Sequence, residues 1–359
     1  MKAQFTICVA IASALAMCVP ETRYTVSGEA ADPALDNTTV YLYDYHTRTR
    51  VDSTVVSGGR FCFEGSISGD SIRRIEIGRM RVNVILQPGD IVVDLEQGTA
   101  SGTAMNAEMS KMGKAMDRAY TQYEAAYDSV WKLDTLSLAE KQTVSNDLHR
   151  ALLAGLADIA RPIIGKNDNS LGAWAMWNWA SEMETADEFE EAMAGAGDYV
   201  RNYGPIARLT AKYEALKTTS VGCAMKDFTV IDGSLDGTSV SLSHYVGRGK
   251  YTLVDFWASW CGPCRREVPN IKAIYDEFHG DDFDVLSVAV WDDVAKTREA
   301  IEKMGMNWNH IVGASREVTD LYGIDGIPHI ILFDPDGVVV ARGLRGAEMD
   351  AVVRKSLMK

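Results

Sequence analysis

After residue 19 the chain has no run of 18 consecutive apolar residues, so nothing beyond its first stretch is suited to spanning a membrane. Positive charge is also in deficit. The 36 Lys and Arg against 50 Asp and Glu leave a formal charge of −14, which argues against non-specific nucleic-acid binding and implies an acidic surface without naming a substrate. Cysteine is scarce, six in 359 residues, and only Cys261 and Cys264 stand close together. No second Cys pair and no closely spaced His pair completes the four-ligand set of a structural zinc site. A c-type haem attachment is excluded as well, because Arg265 stands where His would follow the second cysteine.

What is present describes a globular protein. The length suits two or three domains, and 47% hydrophobic with 24% charged residues gives ample material for a core. Met1-Lys2 precedes an apolar stretch from Phe5 to Val19, short for a membrane span but suited to the h-region of a secretory signal over residues 1–18. Leu15-Ala16-Met17-Cys18 resembles a bacterial lipobox, in which Cys18 would carry the lipid. Met17 stands where that pattern wants a small residue, so ordinary cleavage after Ala14-Leu15-Ala16 competes, and an uncleaved anchor is a third reading. All three put the remaining chain outside the cytoplasm, in the periplasm or cell envelope, with or without a lipid anchor.

Residues 22–100 read as a small antiparallel sandwich or barrel. Tyr24-Thr25-Val26, Val40 to Tyr43, Ser53 to Val56, Phe61-Cys62-Phe63, Ile75-Glu76-Ile77 and Val82 to Ile85 are short and often alternating. Gly58-Gly59 and Pro88-Gly89-Asp90 mark turns between them. Cys62, alternating with two phenylalanines, is expected on the less buried side as an inert, half-buried thiol. From 103 to 217 strand signals nearly vanish and helices are expected. Ser137 with Glu140 and Thr185 with Glu188 have capping-box spacing, and Pro205 suits a first helical turn. Trp174, Trp177 and Trp179 are read as packing residues. This region is expected to hold or present the other domains.

The third region, 222–359, alternates strand and helix: Leu253 to Trp257, a helix after Cys261, Phe283 to Val290, Val294 to Met304, Ile330 to Phe333, a turn at Asp336-Gly337, Val338 to Ala341 and a last helix. Cys261 and Cys264 flank the start of the first of these helices. Unpaired N–H groups and the positive end of the helix dipole there favour a thiolate, the nucleophile of disulfide exchange. Cys261 is therefore expected to attack and to be the exposed member, with Cys264 one turn inside. Pro263 removes a donor that the first turn does not need, and Gly262 lets a partner backbone approach. An inert structural disulfide is the competing reading.

Val254-Asp255-Phe256-Trp257-Ala258-Ser259-Trp260-Cys261-Gly262-Pro263-Cys264 resembles the active-site segment of thioredoxins, and Gly323 to Phe333 resembles the loop and strand in which that family carries a cis-proline facing the two cysteines. Ala258 stands where a peroxiredoxin-type site would have Thr. Asp227-Phe228-Thr229-Val230 with Asp236 to Leu242 is similar to the opening hairpin of the TlpA/ResA-like branch. The resemblance implies an α/β thioredoxin-like domain over 222–359. The preceding sheet resembles the β-rich N-terminal domain often found ahead of such domains. It further implies that Asp255 is a general base for Cys264 through water, or else a hydrogen-bonded structural acid. The lysine that assists this acid in many thioredoxins has no counterpart in Phe283 to Val290. Trp260 would cover the disulfide, or simply fill core. The Ile327 backbone would pair with an extended substrate segment beside cis-Pro328.

The implied activity is that of an envelope thiol-disulfide oxidoreductase. Cys-Gly-Pro-Cys with Ile before the proline resembles reducing thioredoxins. Reduction is the expected direction, through a Cys261 mixed disulfide resolved by Cys264, with no cofactor or metal beyond the redox-active pair. Partners would be protein thiols and disulfides, with a membrane electron donor if the protein reduces. The alternative of a different kind is an envelope partner-binding protein whose dithiol regulates the contact.

Overall fold

The structure, a computed structural model, describes residues 22–183 and 185–358, so the expected leader and Cys18 lie outside the described residues. The chain divides into two compact units between Ala175 and Met176.

In the first unit, β1 (Arg23–Glu29), β2 (Thr39–Asp44), β3 (Arg50–Val55), β4 (Arg60–Ser66), β5 (Ser71–Ile77), β6 (Met80–Leu86), β7 (Gly89–Asp94) and β8 (Thr99–Ser101) form two four-stranded sheets, ordered β4-β1-β7-β8 and β3-β2-β5-β6. Alternation along each strand turns Val26, Leu42, Phe61, Phe63, Ile75, Val84 and Ile91 into one shared core. The all-β reading holds, with one correction: β1 pairs with β7 in parallel. Pro88-Gly89-Asp90, expected as a turn, leads directly into β7, with Gly89 at φ +116° where a side chain would be strained. Cys62 faces outward and is exposed rather than half-buried.

The helices α1 (Ala104–Trp131), α2 (Leu138–Ile164) and α3 (Ser170–Ala180) follow. Asn106 of α1 accepts from the Ile85 N–H and donates to the Ile85 carbonyl, both at 2.8 Å, so a side chain satisfies the backbone of edge strand β6. The expected capping box at Ser137 and Glu140 opens α2. No helix among the described residues is long and apolar enough to cross a membrane.

The second unit takes in the end of α3 and continues with α4 (Ala186–Met193), α5 (Asp198–Asn202) and α6 (Gly204–Lys217), then a short hairpin of β9 (Thr229–Val230) and β10 (Val240–Ser241). Next come β11 (Tyr251–Trp257), α7 (Gly262–Phe278), β12 (Phe283–Val290), α8 (Val294–Met304), β13 (Asn309–Ala314), α9 (Arg316–Leu321), β14 (His329–Phe333), β15 (Val339–Arg342) and α10 (Gly346–Leu357). The sheet runs β13-β12-β11-β14-β15, with the first three strands parallel and the last two antiparallel. One face is covered by apolar residues of α7, α8 and α10, including Val268, Ile271, Ile301 and Val353. The other is covered by α9 and the hairpin, through Val318, Tyr322, Val230 and Val240. Strand β13 and helix α9 are additions to the sequence reading.

The helices that precede the hairpin cluster with this sheet. Tyr213 of α6 donates to the Met183 carbonyl at 2.7 Å, and Arg342 of β15 donates to the Thr219 carbonyl at 2.8 Å. Trp179 is buried, whereas Trp177 is only partly so.

Candidate active site

β11 is a fully interior strand, buried from Thr252 to Trp257, and its apolar sequence leaves it no other place to go. Its alternation puts Leu253, Asp255 and Trp257 on the face covered by α7 and α10, and Val254 and Phe256 on the opposite one. The chain leaves the sheet at Ala258 and turns into α7 with Cys261 as N-cap and Pro263 in the first turn. Cys261 and Cys264 form a disulfide, and Cys261 Sγ accepts the Cys264 N–H at 3.1 Å. A sulfur thus takes the place of the oxygen that usually satisfies an orphan donor at a helix start.

The structure brings the second motif onto the first. Ile327–Pro328 is a cis peptide, and the Ile327 carbonyl oxygen lies 3.6 Å from Cys261 Sγ. Gly262 and Pro263 are exposed, and Trp260 is 61% exposed with its indole N–H donated to the Trp291 carbonyl at 2.9 Å. A large aromatic surface thus faces outward beside the disulfide. The expected exposure of Cys261 is corrected: in this disulfide form Cys261 is 3% and Cys264 1% exposed. Access is governed by the rim of Trp260, Gly262, Pro263 and Ile327 rather than by the sulfur's own surface.

Asp255 is 1% exposed, and neither carboxylate oxygen has a hydrogen-bond partner of ordinary geometry among the described residues. Ser287, its register neighbour on β12, offers only a weak contact. Burial pushes the carboxyl up to about 7, against a smaller downward pull from Arg345 and a further push from Glu267. A carboxyl so placed exchanges a proton near neutrality, which is what a base for a neighbouring thiol requires. His329 is driven the opposite way, to about 3, by burial and by Arg342 and Arg345. Its Nε2 sits 3.1 Å from Arg342, which makes it a neutral structural imidazole.

Three further residues complete the site, of which Arg345 and Asp292 were not read from the sequence. Arg345, immediately before α10, donates to the Pro328 carbonyl and supplies the positive charge near Asp255 that the absent strand lysine would have given. Glu267 of α7 accepts from the Gly346 N–H at 3.0 Å and so ties the two helices together beside the site. Asp292 accepts from the Ser259 N–H at 2.6 Å and from its hydroxyl at 3.1 Å, bracing the loop ahead of Cys261. The preceding Trp291 has φ +56°, the left-handed region that a bulky side chain rarely adopts. One signal was available: β11 and β12 are parallel neighbours, so the loops after them emerge at the same sheet edge, where α/β proteins place their sites. Nothing comparable in the sequence points to Arg345.

Cys223 donates its thiol to the Lys217 carbonyl at 3.6 Å and is in no disulfide. Among the described residues no three His, Cys, Asp or Glu side chains converge as a metal site would require.

Two regions of the chain match known families. Residues 221–342 match the AhpC/TSA family, and residues 24–109 match a domain of unknown function, DUF4369. The chain is 29% identical over 120 residues to the thiol-disulfide oxidoreductase ResA of Geobacillus thermodenitrificans, covering 33% of this chain and 67% of that one. It is 26% identical over 130 residues to ResA of Bacillus subtilis, covering 36% and 70%. Among solved structures, the thioredoxin domain of a thiol-disulfide oxidoreductase from Bacteroides vulgatus is 37% identical, covering 38% of this chain and 96% of that one, at a TM-score of 0.35. A thiol:disulfide interchange protein from Bacteroides sp. is 35% identical, covering 40% and 93%, at a TM-score of 0.36. The C-terminal part of this chain is a thioredoxin-like domain of the AhpC/TSA family, with ResA-type thiol-disulfide oxidoreductases among its homologues.

Proposed function

We propose that the chain is an exported thiol-disulfide oxidoreductase that reduces disulfides in partner proteins. The observation that carries this reading is the Cys261–Cys264 pair at the start of α7, with Cys261 Sγ 3.6 Å from the Ile327 carbonyl and Asp255 buried on the same side of β11. In the reduced protein the Cys261 thiolate attacks one sulfur of a substrate disulfide. A mixed disulfide forms, and the other substrate sulfur leaves as a thiolate that takes up a proton. Cys264 then gives its proton through water to the Asp255 carboxylate, and its thiolate attacks Cys261 Sγ. The Cys261–Cys264 bond forms, the second substrate sulfur leaves and is protonated, and two electrons have passed to the substrate. A dithiol donor must then reduce the pair again, and outside the cytoplasm its electrons must come across the membrane.

The Ile327 backbone, held by the buried cis-Pro328, is the edge on which an extended substrate segment pairs, with Trp260, Gly262 and Pro263 forming the surrounding surface. The Cys-Gly-Pro-Cys sequence and the Ile before Pro328 favour a potential near that of thioredoxin, about −270 mV, over the roughly −120 mV of strong periplasmic oxidants. Residues 1–18 direct export to the periplasm or envelope. Lipidation of Cys18 is distinguished from plain cleavage by fatty-acid labelling that Cys18→Ser removes. Residues 103–217 hold or present the other domains.

The test is turnover and trapping with the mature chain. Reduction of a protein disulfide by a dithiol should depend on the pair, and Cys264→Ser should accumulate mixed disulfides through Cys261. Partner binding without disulfide turnover would favour the alternative, a binding protein whose dithiol is regulatory.

A further inference from the structure

Beside the site, within the second unit, lies a cleft of about 490 Å³, a volume suited to side chains of a bound segment. Arg208, Leu209 and Lys212 of α6 form one wall, and Trp291, Ile324 and Asp325 form the other. The wall from α6 is seated tightly. Gly323 has φ +62°, and a Cβ there would come 2.9 Å from the Lys212 carbonyl, so only glycine lets α6 lie against the chain entering the cis-proline loop.

Two links tie the cleft to the disulfide. Trp291 contributes to it and, through its carbonyl, holds the indole of Trp260. Asp325 lies two residues before Ile327, at most about 7 Å of extended chain away. A substrate strand paired with Ile327 has one open direction. Toward Pro328 there is no N–H to pair with, and the chain dives into β14, whereas Gly326 and Asp325 are exposed. The strand must therefore run past 326 and 325, into the cleft.

The charges give the cleft a sign. Lys212 pairs with Asp325 at 2.6 Å and Arg316 with Asp320 at 3.7 Å, while Arg208 is exposed and has no acidic partner among the described residues. In a chain of formal charge −14 this leaves one uncompensated cation beside apolar Leu209 and Ile324.

We propose that this cleft is an exosite for the substrate polypeptide. It takes the segment next to the target cysteine, seating an apolar side chain against Leu209, Ile324 and Trp291 and a carboxylate on Arg208. The proposal rests on the oxidoreductase reading and adds to it a preference for acidic, apolar flanks, written by a helix that lies outside the thioredoxin-like sheet.

The experiment compares three disulfides with the reduced full chain: hydroxyethyl disulfide, a peptide disulfide with Glu and Leu flanking the cysteine, and its counterpart with Lys for Glu. Arg208→Glu should lower kcat/KM for the Glu-Leu peptide about tenfold, chiefly through KM, and raise it for the Lys peptide. Ala211→Trp, at an exposed position on the cleft wall, should depress both peptides. Hydroxyethyl disulfide, too small to reach the cleft, should be reduced at the wild-type rate by both variants. Unchanged peptide kinetics in both variants, or a parallel fall for hydroxyethyl disulfide, would overturn the exosite while leaving the oxidoreductase reading in place. Failure of the wild-type chain to reduce any of the three would overturn both.

Discussion

The N-terminal sandwich and the C-terminal α/β domain each carry a cysteine beside a hydrophobic strand pattern, and only one of those placements makes chemistry. Cys62 sits mid-strand in β4 between inward-facing Phe61 and Phe63 and points outward, where burial by its neighbours and Glu64 push its thiol up, away from the thiolate. Cys261 sits where a strand has just ended and a helix begins, so the Cys264 N–H of the first helical turn is donated to its sulfur. The sandwich core is built from apolar side chains, whereas the C-terminal sheet buries Asp255 without a hydrogen-bond partner of ordinary geometry and accepts the cost. Reactivity therefore follows the placement of a thiol against backbone and buried charge. Residue type alone does not confer it.

The strongest way to break this comparison is Cys261→Ser, which should abolish disulfide turnover. The check is a reduction assay on protein that retains its thermal transition. Next comes Asp255→Asn, which should slow resolution of the mixed disulfide by about 100-fold, measured by stopped-flow at pH 8. The same change should stabilise the protein. Asp255 in the unfolded chain ionises near its ordinary 3.8, but in the folded protein only near 7, so the folded state binds the extra proton between those values. The penalty of burying it is absent below pH about 4, grows as pH rises to about 7, and is complete above. At most about 4 kcal/mol is at stake, and the gain from Asp255→Asn should appear at pH 8 and vanish near pH 4 in denaturant titrations.

Much of this could be read in the chain itself, for reasons visible in particular residues. Phe283 to Val290 and Val294 to Met304 have local periodicity strong enough that their observed bounds coincide with the expected ones. The two cysteines and Ile327-Pro328 were legible because their chemistry is carried by short, local motifs. Arg345, Asp292 and the parallel pairing of β1 with β7 were not, because each depends on which distant segments the topology makes neighbours. Gly323 is the same case: its need for glycine comes from α6, far away in sequence.

Arg345 sharpens the comparison further. Its charge lowers the Asp255 carboxyl, so Arg345→Met should move the pH midpoint of resolution upward from about 7 and slow the step several-fold at pH 7. Arg345→Lys should restore most of the midpoint, whereas a purely structural residue would lower activity at every pH alike. The smallest effect belongs to the N-terminal sandwich. Cys62→Ser should leave turnover within twofold of wild type in the same reduction assay, and a larger loss would mean that the outward thiol takes part.

The most direct measurement is alkylation of the reduced full chain with iodoacetamide between pH 4 and 9, quenched at short times, with the modified cysteine identified by mass spectrometry. Cys261 should react first, with a midpoint below the ordinary thiol value of about 8.5, while Cys264 stays unmodified until much later. Faster or equal modification of Cys264 would contradict the assignment of attacking and resolving thiols.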